Sequence, residues 1–398
     1  MAEGPGRQRL RPVWAEIDLG AVRHNVGLLR ALAGPAGLCA VVKADGYGHG
    51  APAVARAALE AGAESLAVAL VEEGVVLREA GIEAPILLLS EPPPAAMAEA
   101  VARRLTPTVY SPEGVAAVAA AAGEDGPPVP VHLKVDTGMH RVGADPADLP
   151  ALARAVESSP RLHLAALWTH LAVADGPGAE DRAFTADQLG RLEEARAGLV
   201  AAGIEVPLVH AANSAGAIAH PAARLGLVRC GIALYGVLPA PGFAPLVAEA
   251  SGGGELRPVL SWKARVSHVR RLPAGARPSY GRPLPLAGET LVATVPVGYA
   301  DGVPRQFFTG GGTVLVGGRR RPLAGTVTMD QILVDCGPEG PVEVGDEVVL
   351  IGRQGEGVLT AWDWAESLGT IGYEVLCGIG TRVPRVLRDG GKEEGSGG

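Results

Sequence analysis

The segment Val41-Val42-Lys43-Ala44-Asp45-Gly46-Tyr47-Gly48-His49-Gly50 places one lysine between an apolar run and a glycine-rich turn. Residues 38–42 are apolar and end in β-branched side chains, which is typical of a buried strand rather than a helix. Lys43 is then predicted at the carboxyl end of the strand, where α/β folds bind their ligands. Desolvation there disfavours the ammonium form and leaves free amine for Schiff-base chemistry with an aldehyde. A lone lysine is more often a surface residue, so other motifs in the chain are needed to decide whether Lys43 has a chemical role.

Eight short apolar runs alternate with helical patterns in the first 240 residues. The predicted strands cover residues 38–43, 66–70, 86–90, 106–110, 131–136, 164–168, 208–211 and 227–231, and the helices between them include 53–61, 112–121 and 184–202. Alternation of β and α without hairpin signals predicts a parallel sheet. Eight such units predict an α/β fold with an N-terminal (β/α)8 TIM-type barrel.

The pattern changes after about residue 245. Glycine and proline separate strand-like runs at 264–269, 291–297, 313–316, 331–334 and 347–351, which favours an antiparallel domain with hairpin connections. We therefore predict a cofactor-binding barrel over residues 1–245, with residues before about 14 able to pack with the β domain. A mainly β C-terminal domain is predicted over residues 246–388. Residues 389–398 have too little apolar surface to fold and are predicted to be a disordered tail.

Composition and charge narrow the class of partner. Hydrophobic residues make up 47% of the 398 residues, which is enough for a large core. The net charge of −8 and the lack of a basic stretch argue against nucleic acid and membrane and favour a small molecule. The four cysteines are too scattered for a zinc site or a disulfide framework, and neither a signal peptide nor a membrane-spanning run is found. These features predict a cytoplasmic protein without a metal.

Polar residues follow the predicted strand ends repeatedly, as a barrel active site requires. They are Lys43 after strand one, Asp136 to Arg141 after strand five, Thr169 and His170 after strand six, Asn213 and Ser214 after strand seven, and Arg229, Gly231 and Ile232 at strand eight. Taken singly, His170 is typical of a structural histidine and Arg229 of an ion-pair partner. Their coincidence at one end of a barrel favours a function.

The loops after strands seven and eight are where many barrels bind phosphate. Ser214 and the backbone amides of Gly231 and Ile232 fit this task, and Tyr47 could reach the same group. A phosphate site opposite Lys43 suggests pyridoxal phosphate, whose aldehyde joins a lysine while its phosphate is anchored across the barrel mouth. The alternative is a sugar-phosphate or aldol enzyme that uses Lys43 directly and does not need polar turns in a second domain.

Aromatic residues are scarce, at 4%, yet five of the six tyrosines stand next to a glycine. These five are Tyr47, Tyr235, Tyr280, Tyr299 and Tyr373. The pattern favours hydroxyl groups presented on tight turns, with plain exposed turn tyrosines as the alternative. Three such polar turns, at 279–281, 298–302 and 328–331, lie in the predicted β domain.

Together these segments resemble the alanine racemases, which are pyridoxal-phosphate enzymes of fold type III, over nearly the whole chain. The matching segments are residues 14–19, 41–50, 134–139 with Arg141, 169–170, 213–214, Arg229 with 231–236, 279–281, 298–302, 329–330 and 373–374. An ordered set of this size is very specific, so the chain is identified as a member of that family. The resemblance implies an isomerase that interconverts L-alanine and D-alanine and supplies D-alanine for peptidoglycan.

The resemblance also implies two proton-transfer residues: Lys43, which forms the Schiff base, and Tyr280 of a partner subunit. Two bases are needed because racemisation removes a proton on one face of the α-carbon and returns it on the other. The ordinary pKa of tyrosine is too high for a base at neutral pH. Positive charge relayed through His170 and Arg229 is therefore expected to lower the pKa of Tyr280.

Further roles follow from the same resemblance. Arg229 is expected at the pyridine nitrogen of the cofactor and Arg141 beside its phenolic oxygen and the substrate, with Lys134 a candidate for carbamylation that holds Arg141. Met329 and Tyr299 are expected to receive the substrate carboxylate. The remaining cofactor-binding residues are Tyr47, His170, Asn213, Ser214, Gly231, Ile232 and Tyr373. Since Tyr280 serves the Lys43 of a neighbour, a homodimer with shared sites is implied.

Three positions depart from the family pattern. His140 stands where glycine is common, Thr328 where cysteine is frequent, and Gly226 where an acidic residue precedes Arg229. None of these changes removes a proton-transfer residue, so the activity is still expected. The main alternative is a broad-specificity racemase acting on serine, lysine or arginine. A cofactor carrier without turnover typically lacks a β domain, and a fold-type III decarboxylase is usually longer and carries a catalytic cysteine, so both fit less well.

Overall fold

The computed structural model describes residues 10–124, 126–338 and 341–390. These residues form two compact units: a barrel unit of residues 22–46 and 51–257, and a β unit of residues 10–21, 47–50 and 258–390. The strands are β1 (Val13–Asp18), β2 (Gly37–Val41), β3 (Ser65–Val68), β4 (Ile86–Leu88), β5 (Thr108–Val109), β6 (Val129–Lys134), β7 (Leu162–Trp168), β8 (Val209–His210), β9 (Leu227–Cys230), β10 (Leu260–Arg265), β11 (His268–Leu272), β12 (Thr290–Val295), β13 (Thr313–Val316), β14 (Arg319–Pro322), β15 (Ile332–Asp335), β16 (Glu347–Gln354), β17 (Gly357–Leu359) and β18 (Arg385–Arg388). The helices are α1 (Leu19–Ala33), α2 (Lys43–Gly48), α3 (Ala51–Glu60), α4 (Val71–Glu79), α5 (Pro94–Ala102), α6 (Pro112–Ala121), α7 (Leu149–Glu157), α8 (Ala179–Ala201), α9 (Ser214–Ala219), α10 (Ala244–Ser251), α11 (Ala361–Leu368) and α12 (Gly372–Cys377).

The barrel unit is a closed ring of parallel strands. Two parallel sheets have the orders β4-β3-β2-β9 and β5-β6-β7-β8. A parallel bridge between Leu87 and Thr106 joins the sheets on one side. On the other side, backbone bonds from Gly226 to Val209 and from Arg229 to Ala212, both 3.0 Å long, join β9 to the β8 segment. Strands β2 to β9 of the described chain therefore close a (β/α)8 barrel, and the predicted fold class is confirmed.

All eight predicted barrel strands overlap observed ones, but the first ends earlier than predicted. β2 is buried along its whole length and stops at Val41, so Lys43 begins the following turn instead of ending the strand. Helix α6 matches its predicted bounds and is capped by Ser111, whose hydroxyl accepts a hydrogen bond from the Gly114 amide. Strand β5 is much shorter than predicted because only Thr108 and Val109 pair with β6.

The β unit has two sheets. One has the order β14-β13-β16-β10-β1-β18, with β17 added to β16, and the other has the order β11-β12-β15. The N-terminal strand β1 lies inside the first sheet, antiparallel to β10 and parallel to β18. The unit also contains α11 and α12, which the alternating pattern did not predict. Thr360 and Asp363 cap α11 by reciprocal hydrogen bonds.

The predicted strand at 264–269 is wrong, because the chain changes sheets within it. β10 ends at Arg265 and β11 begins at His268. Between them, the Val266 amide donates to Asp346 beside β16, whereas the Ser267 amide donates to Thr294 in β12. An alternating pattern that continues through residues 266 and 267 does not reveal such a transfer between two sheets.

The two compact units divide between residues 257 and 258, later in the chain than the predicted domain boundary at 245, and α10 belongs to the barrel unit. Residues 10–21 belong to the β unit. Most of the predicted tail, residues 391–398, lies outside the described residues. Among the described residues, no helix is both long and apolar enough to cross a membrane.

Candidate active site

The carboxyl ends of the barrel strands bring the predicted polar residues to one rim. Lys43 follows β2, the 136–141 loop follows β6, and His170 follows β7. Asn213 and Ser214 follow β8, and Arg229, Gly231 and Ile232 lie in or just after β9. Because parallel strands present their carboxyl ends at the same side of a barrel, these groups share the mouth of the barrel.

Arg229 is the fixed centre of this rim. Its side chain is buried, with 3% of the residue exposed. One guanidinium nitrogen, Nη2, donates to the carbonyl oxygens of Thr169 and Ala211 at 2.9 Å each, and Nη1 donates to His210 Nδ1 at 2.6 Å. Burial lowers the pKa of Arg229 to about 10, so the group still carries its charge at neutral pH. Three acceptors thus hold a permanent cation in one orientation.

Two buried histidines extend this network, and sequence reasoning did not find them. Since Arg229 can only donate, His210 Nδ1 must accept and His210 Nε2 must carry the proton. Nε2 then donates to His132 Nδ1 at 3.1 Å. Burial, and next the charge of Arg229, lowers the pKa of His132 to about 3, and the same causes lower the pKa of His210 well below its usual value. Both histidines are neutral partners that leave the charge on Arg229.

Lys134 lies deeper, at the end of β6, and is 3% exposed. Its ammonium nitrogen is 4.3 Å from the ring centroid of Trp168, and the Arg229 guanidinium carbon is 4.5 Å from the same centroid. Burial, followed by the charges of Arg229 and Arg141, lowers the pKa of Lys134 to about 7. A large fraction of this amine is therefore neutral at physiological pH, which makes it nucleophilic.

His170 is also a neutral group. Burial, followed by the charges of Arg229, Arg141, Lys134 and Lys43, lowers the pKa of His170 well below its usual value. Its Nδ1 lies 3.5 Å from Arg229 Nη2. His170 and Arg229 were both expected to supply positive charge. Of these two residues, only Arg229 is therefore charged within this chain. With Nδ1 turned toward a permanent donor, Nε2 of His170 carries the proton.

Gln188, a second group missed from the sequence, ties the rim loops together. It lies on α8, is fully buried, and donates to Thr137 Oγ1 at 3.2 Å and to the His170 carbonyl at 3.1 Å. Its amide oxygen accepts from Ala172 at 2.8 Å. A glutamine inside an otherwise polar helix gives no sequence signal, because only the fold shows that this side faces inward.

Ser214 links the loops after β8 and β9. Its hydroxyl oxygen accepts from the amides of Gly231 at 3.0 Å and Ala233 at 3.3 Å. Asn213 caps α9 by accepting from the Gly216 amide at 2.9 Å. Tyr235, grouped with the turn tyrosines in the sequence, is instead fully buried and donates to the Val41 carbonyl at 3.0 Å. Its hydroxyl supports the end of β2.

Basic side chains are concentrated at the rim. The charges of Arg229, Arg141, Lys134 and Lys43 all act on His170, and the Asp136 carboxylate acts on Lys134. Partial burial alone would raise the pKa of Asp136, but hydrogen bonds from the backbone amides of Gly138 and His140 lower it. The Asp136 carboxylate is therefore turned toward its own loop. Arg141 makes no side-chain hydrogen bond to the described residues. The positive charges of Arg141 and Arg229 suit a ligand with several negative charges.

In the β unit, three residues singled out by the sequence are unusually exposed. Tyr280 is 70% exposed, Met329 is 52% exposed and Tyr299 is 42% exposed. The turn of Tyr299 packs against the loop of Met329, since the amides of Tyr299 and Ala300 donate to the carbonyls of Thr328 and Met329 at 3.0 and 3.1 Å. A side chain at Gly298 would lie only 2.3 Å from the Thr328 carbonyl oxygen, so this close approach requires glycine.

A buried carboxylate holds the same turn. Asp301 is fully buried, receives two hydrogen bonds of 2.9 and 2.7 Å from Arg11, and accepts from the Gly298 amide at 3.0 Å. Arg382 lies 3.5 Å from Asp301 and 2.8 Å from Asp330, the residue after Met329. This network fixes Tyr299 and Met329 relative to each other. Tyr47 and Tyr373 also meet in this unit, with ring centroids 6.3 Å apart.

The three family departures have local explanations. His140 adopts a φ of +55°, a conformation that glycine enters without strain, and its ring lies 3.3 Å from Asp136. A side chain at Gly226 would lie 2.5 Å from Leu208, so an acidic residue there needs a shift of Leu208. Thr328 accepts from the Gln331 amide at 3.2 Å and donates to the Gln331 carbonyl at 2.9 Å, which closes the turn that carries Met329.

Known proteins resemble the chain in sequence over almost its full length. The N-terminal domain of alanine racemase matches residues 17–239, and the C-terminal domain of alanine racemase matches residues 259–387. An alanine racemase of Symbiobacterium thermophilum is 47% identical over 94% of this chain and 97% of its own length. That of a Nostoc species is 42% identical over 94% of this chain and 95% of its own length.

Solved structures of alanine racemases are also similar to this chain in fold. Alanine racemase from Bacillus anthracis with bound L-Ala-P has a TM-score of 0.89 at 36% identity, covering 97% of each chain. Alanine racemase from Streptomyces lavendulae has a TM-score of 0.87 at 40% identity, covering 96% of this chain and 98% of its own. Sequence and fold therefore agree, and the chain belongs to the alanine racemase family of isomerases.

Proposed function

We propose that this protein is a pyridoxal-phosphate-dependent alanine racemase that interconverts L-alanine and D-alanine. Its two bases are Lys43 of one subunit and Tyr280 of the partner subunit. The observation that carries the proposal is the cationic barrel mouth, where Lys43 opens the loop after β2 and the buried, charged Arg229 lies in the neighbouring strand β9. Family membership indicates an isomerase reaction. The residues of the barrel mouth support the mechanism proposed for it.

The residues of the mouth fit the cofactor. Pyridoxal phosphate is strongly anionic, and the charges of Arg229, Arg141, Lys134 and Lys43 all act on His170 in this mouth. When bound, it supplies an aldehyde that condenses with amines and a ring that withdraws electrons from the substrate α-carbon. Lys43 would hold the aldehyde. Ser214, with the amides of Gly231 and Ile232 and the hydroxyls of Tyr47 and Tyr373, would hold the phosphate, with Asn213 fixing the Ser214 turn.

Arg229 would hold the ring nitrogen of the cofactor. Because its pKa of about 10 keeps it protonated, Arg229 would donate a hydrogen bond there without transferring its proton. Such a bond would weaken the electron withdrawal by the ring and limit side reactions such as transamination. Arg141 would lie beside the phenolic oxygen and the substrate carboxylate, together with Met329 and Tyr299 of the partner subunit.

Proton transfer needs a base on each face of the α-carbon. Lys43 Nζ would serve one face and the Tyr280 oxygen the other. Because His170 Nδ1 faces Arg229, its Nε2 proton is available to a phenolate oxygen. A hydrogen bond donated to the Tyr280 oxygen would stabilise its phenolate form. The exposure of Tyr280, Met329 and Tyr299 supports a homodimer in which these side chains enter the partner's site.

Lys134 is proposed to be carbamylated, which converts a cation into an anion that can hold Arg141. The neutral amine adds to carbon dioxide and releases one proton, and a pKa of about 7 makes this amine available. With isotopically labelled bicarbonate, we expect a carbamate carbon resonance that is lost in Lys134→Arg and kept in Lys263→Arg. Lys263 is paired with Glu16 and Glu347 in the β unit. A resonance that survives in Lys134→Arg would contradict the assignment.

The function itself is tested by α-proton exchange and loss of optical rotation in deuterated buffer with added cofactor. We expect rapid exchange and racemisation of alanine and slow reaction of serine and lysine. Comparable rates for serine or lysine would establish the broad-specificity alternative. If none of the three amino acids exchanged its α-proton, the protein would instead be a cofactor carrier without turnover. A cytoplasmic role in supplying D-alanine for peptidoglycan is part of the same proposal.

A further inference from the structure

The turn that begins at Lys43 is wound in the left-handed sense. Within α2, the φ angles of Ala44, Asp45, Gly46 and Tyr47 are +53°, +51°, +64° and +51°. Residues with a Cβ rarely adopt this conformation, and a succession of them is rarer still. Neither alanine nor tyrosine has a side chain that favours it. Contacts from outside the turn must therefore stabilise it.

Three hydrogen bonds restrain the turn in the barrel unit. The Gly46 amide donates to the Val42 carbonyl at 2.9 Å, and the Ala51 amide donates to Asp45 Oδ1 at 2.8 Å. The third comes from a different βα unit: the Ala44 amide donates to Glu73 Oε1 at 2.5 Å. It is short, as expected for a bond to a charged acceptor.

Glu73 is itself well anchored. Its other oxygen, Oε2, accepts from the amides of Ala69 at 2.8 Å and Leu70 at 3.1 Å. The residue lies in the first turn of α4, where the helix N-terminus stabilises a negative charge. Strands β2 and β3 are neighbours, with Val41 opposite Ala67. One carboxylate thus ties the loop after β2 to the loop after β3.

The amide bonded to Glu73 belongs to the peptide that joins Lys43 to Ala44. A peptide unit is planar and rigid, so fixing its N–H also fixes the direction in which the Lys43 backbone leaves that residue. The Cβ of Lys43 and the path of its side chain depend on this orientation. Rotation of this peptide would carry the amine of Lys43 away from its working position.

We propose that Glu73 is a positioning residue for Lys43, holding the left-handed turn that aims the lysine amine. The role of Lys43 in this inference rests on the proposed function. The restraint of the turn by Glu73 does not depend on that function. The bonds to Ala69 and Leu70 cap α4, and the bond to Ala44 alone acts on Lys43.

The test compares Glu73→Ala and Glu73→Gln with Glu72→Ala. Glu72 is the adjacent acidic residue in the same helical turn, is exposed, and makes no side-chain hydrogen bond to the described residues. The glutamine variant has one acceptor oxygen instead of two and therefore serves either the cap or Ala44. Thermal unfolding of each variant monitors general stability.

Two readouts report on the turn and on the lysine. In protein without cofactor, we expect the Ala44 amide of Glu73→Ala to exchange with deuterium about tenfold faster or more. In protein loaded with pyridoxal phosphate, we expect kcat for alanine to fall about ten- to a hundredfold with a smaller change in KM, the range that one charge-assisted hydrogen bond supplies. Glu73→Gln should be intermediate, and Glu72→Ala should match the original protein.

Unchanged Ala44 exchange, or a kcat loss shared equally by Glu72→Ala, would overturn the inference. Borohydride fixation of the cofactor followed by peptide mapping separates this failure from failure of the proposed function. The chain has four lysines, Lys43, Lys134, Lys263 and Lys392, so the labelled site is readily assigned. Label on Lys43 with unaffected Glu73 variants refutes only the positioning role, whereas label on another lysine refutes the role of Lys43.

Discussion

Replacement of Lys43 by alanine is expected to slow racemisation of alanine by at least about a thousandfold, because it removes both the cofactor-binding amine and one proton-transfer group. The yellow absorbance of the bound cofactor should disappear after dialysis. The side chain is only partly buried and lies after β2, outside the strand itself, so the barrel should still fold. Absorbance spectra and α-proton exchange measure the two losses.

Lys263→Ala is the matched control, because it removes a lysine of the β-unit sheet that pairs with Glu16 and Glu347. It should keep the absorbance and the activity. A Lys43→Ala protein that retains the yellow band at full intensity after dialysis would show that the cofactor is attached elsewhere.

Replacement of Tyr280 by phenylalanine is expected to affect the two enantiomers unequally. Loss of the base on one face should slow α-proton exchange of L-alanine by about 10²- to 10⁴-fold, while exchange of D-alanine, which depends on Lys43, changes far less. With Tyr280 70% exposed in the chain, the substitution should not disturb folding. Tyr110→Phe, in the barrel unit, is the control for loss of a tyrosine hydroxyl. Equal losses for both enantiomers would contradict the assignment of separate faces.

The same two variants test whether sites are shared between subunits. Lys43→Ala and Tyr280→Phe proteins are each expected to lose racemisation in both directions, because every turnover needs both bases. If Tyr280 serves the partner's Lys43, mixed dimers contain one site with both residues intact, and part of the activity returns. Mixing without recovery, despite demonstrated subunit exchange, would place both residues of a site in the same subunit.

The barrel could be predicted from sequence because its strands are short, mostly buried and mostly apolar, and because five of them are followed by polar residues at the rim. The β unit was harder. Its strand-like run at 264–269 spans the passage between two sheets, and β14 consists of arginines and a proline, which carry no strand pattern. Long-range pairing decides these strands, and local sequence does not encode it.

The sequence motifs identified the candidate site residues whose side chains lie at the barrel rim and on the exposed turns. They did not reveal the residues that orient those groups. His132, His210, Gln188 and Glu73 act through contacts that join different βα units, and each looks locally like an ordinary core or helix residue. The direction of the His170 pKa shift also could not be predicted from sequence, because it depends first on burial of the ring and then on the cations that surround it.

The placement of β1 has a consequence for how the protein is made. This strand is synthesised early, yet its partners β10 and β18 lie beyond residue 259 and near the end of the described chain. On a ribosome, the barrel segment emerges completely while β1 still lacks both neighbours. Its apolar face then has no native partner until residues 260–265 have emerged, so this short segment would need to be shielded by a chaperone while the barrel is being synthesised.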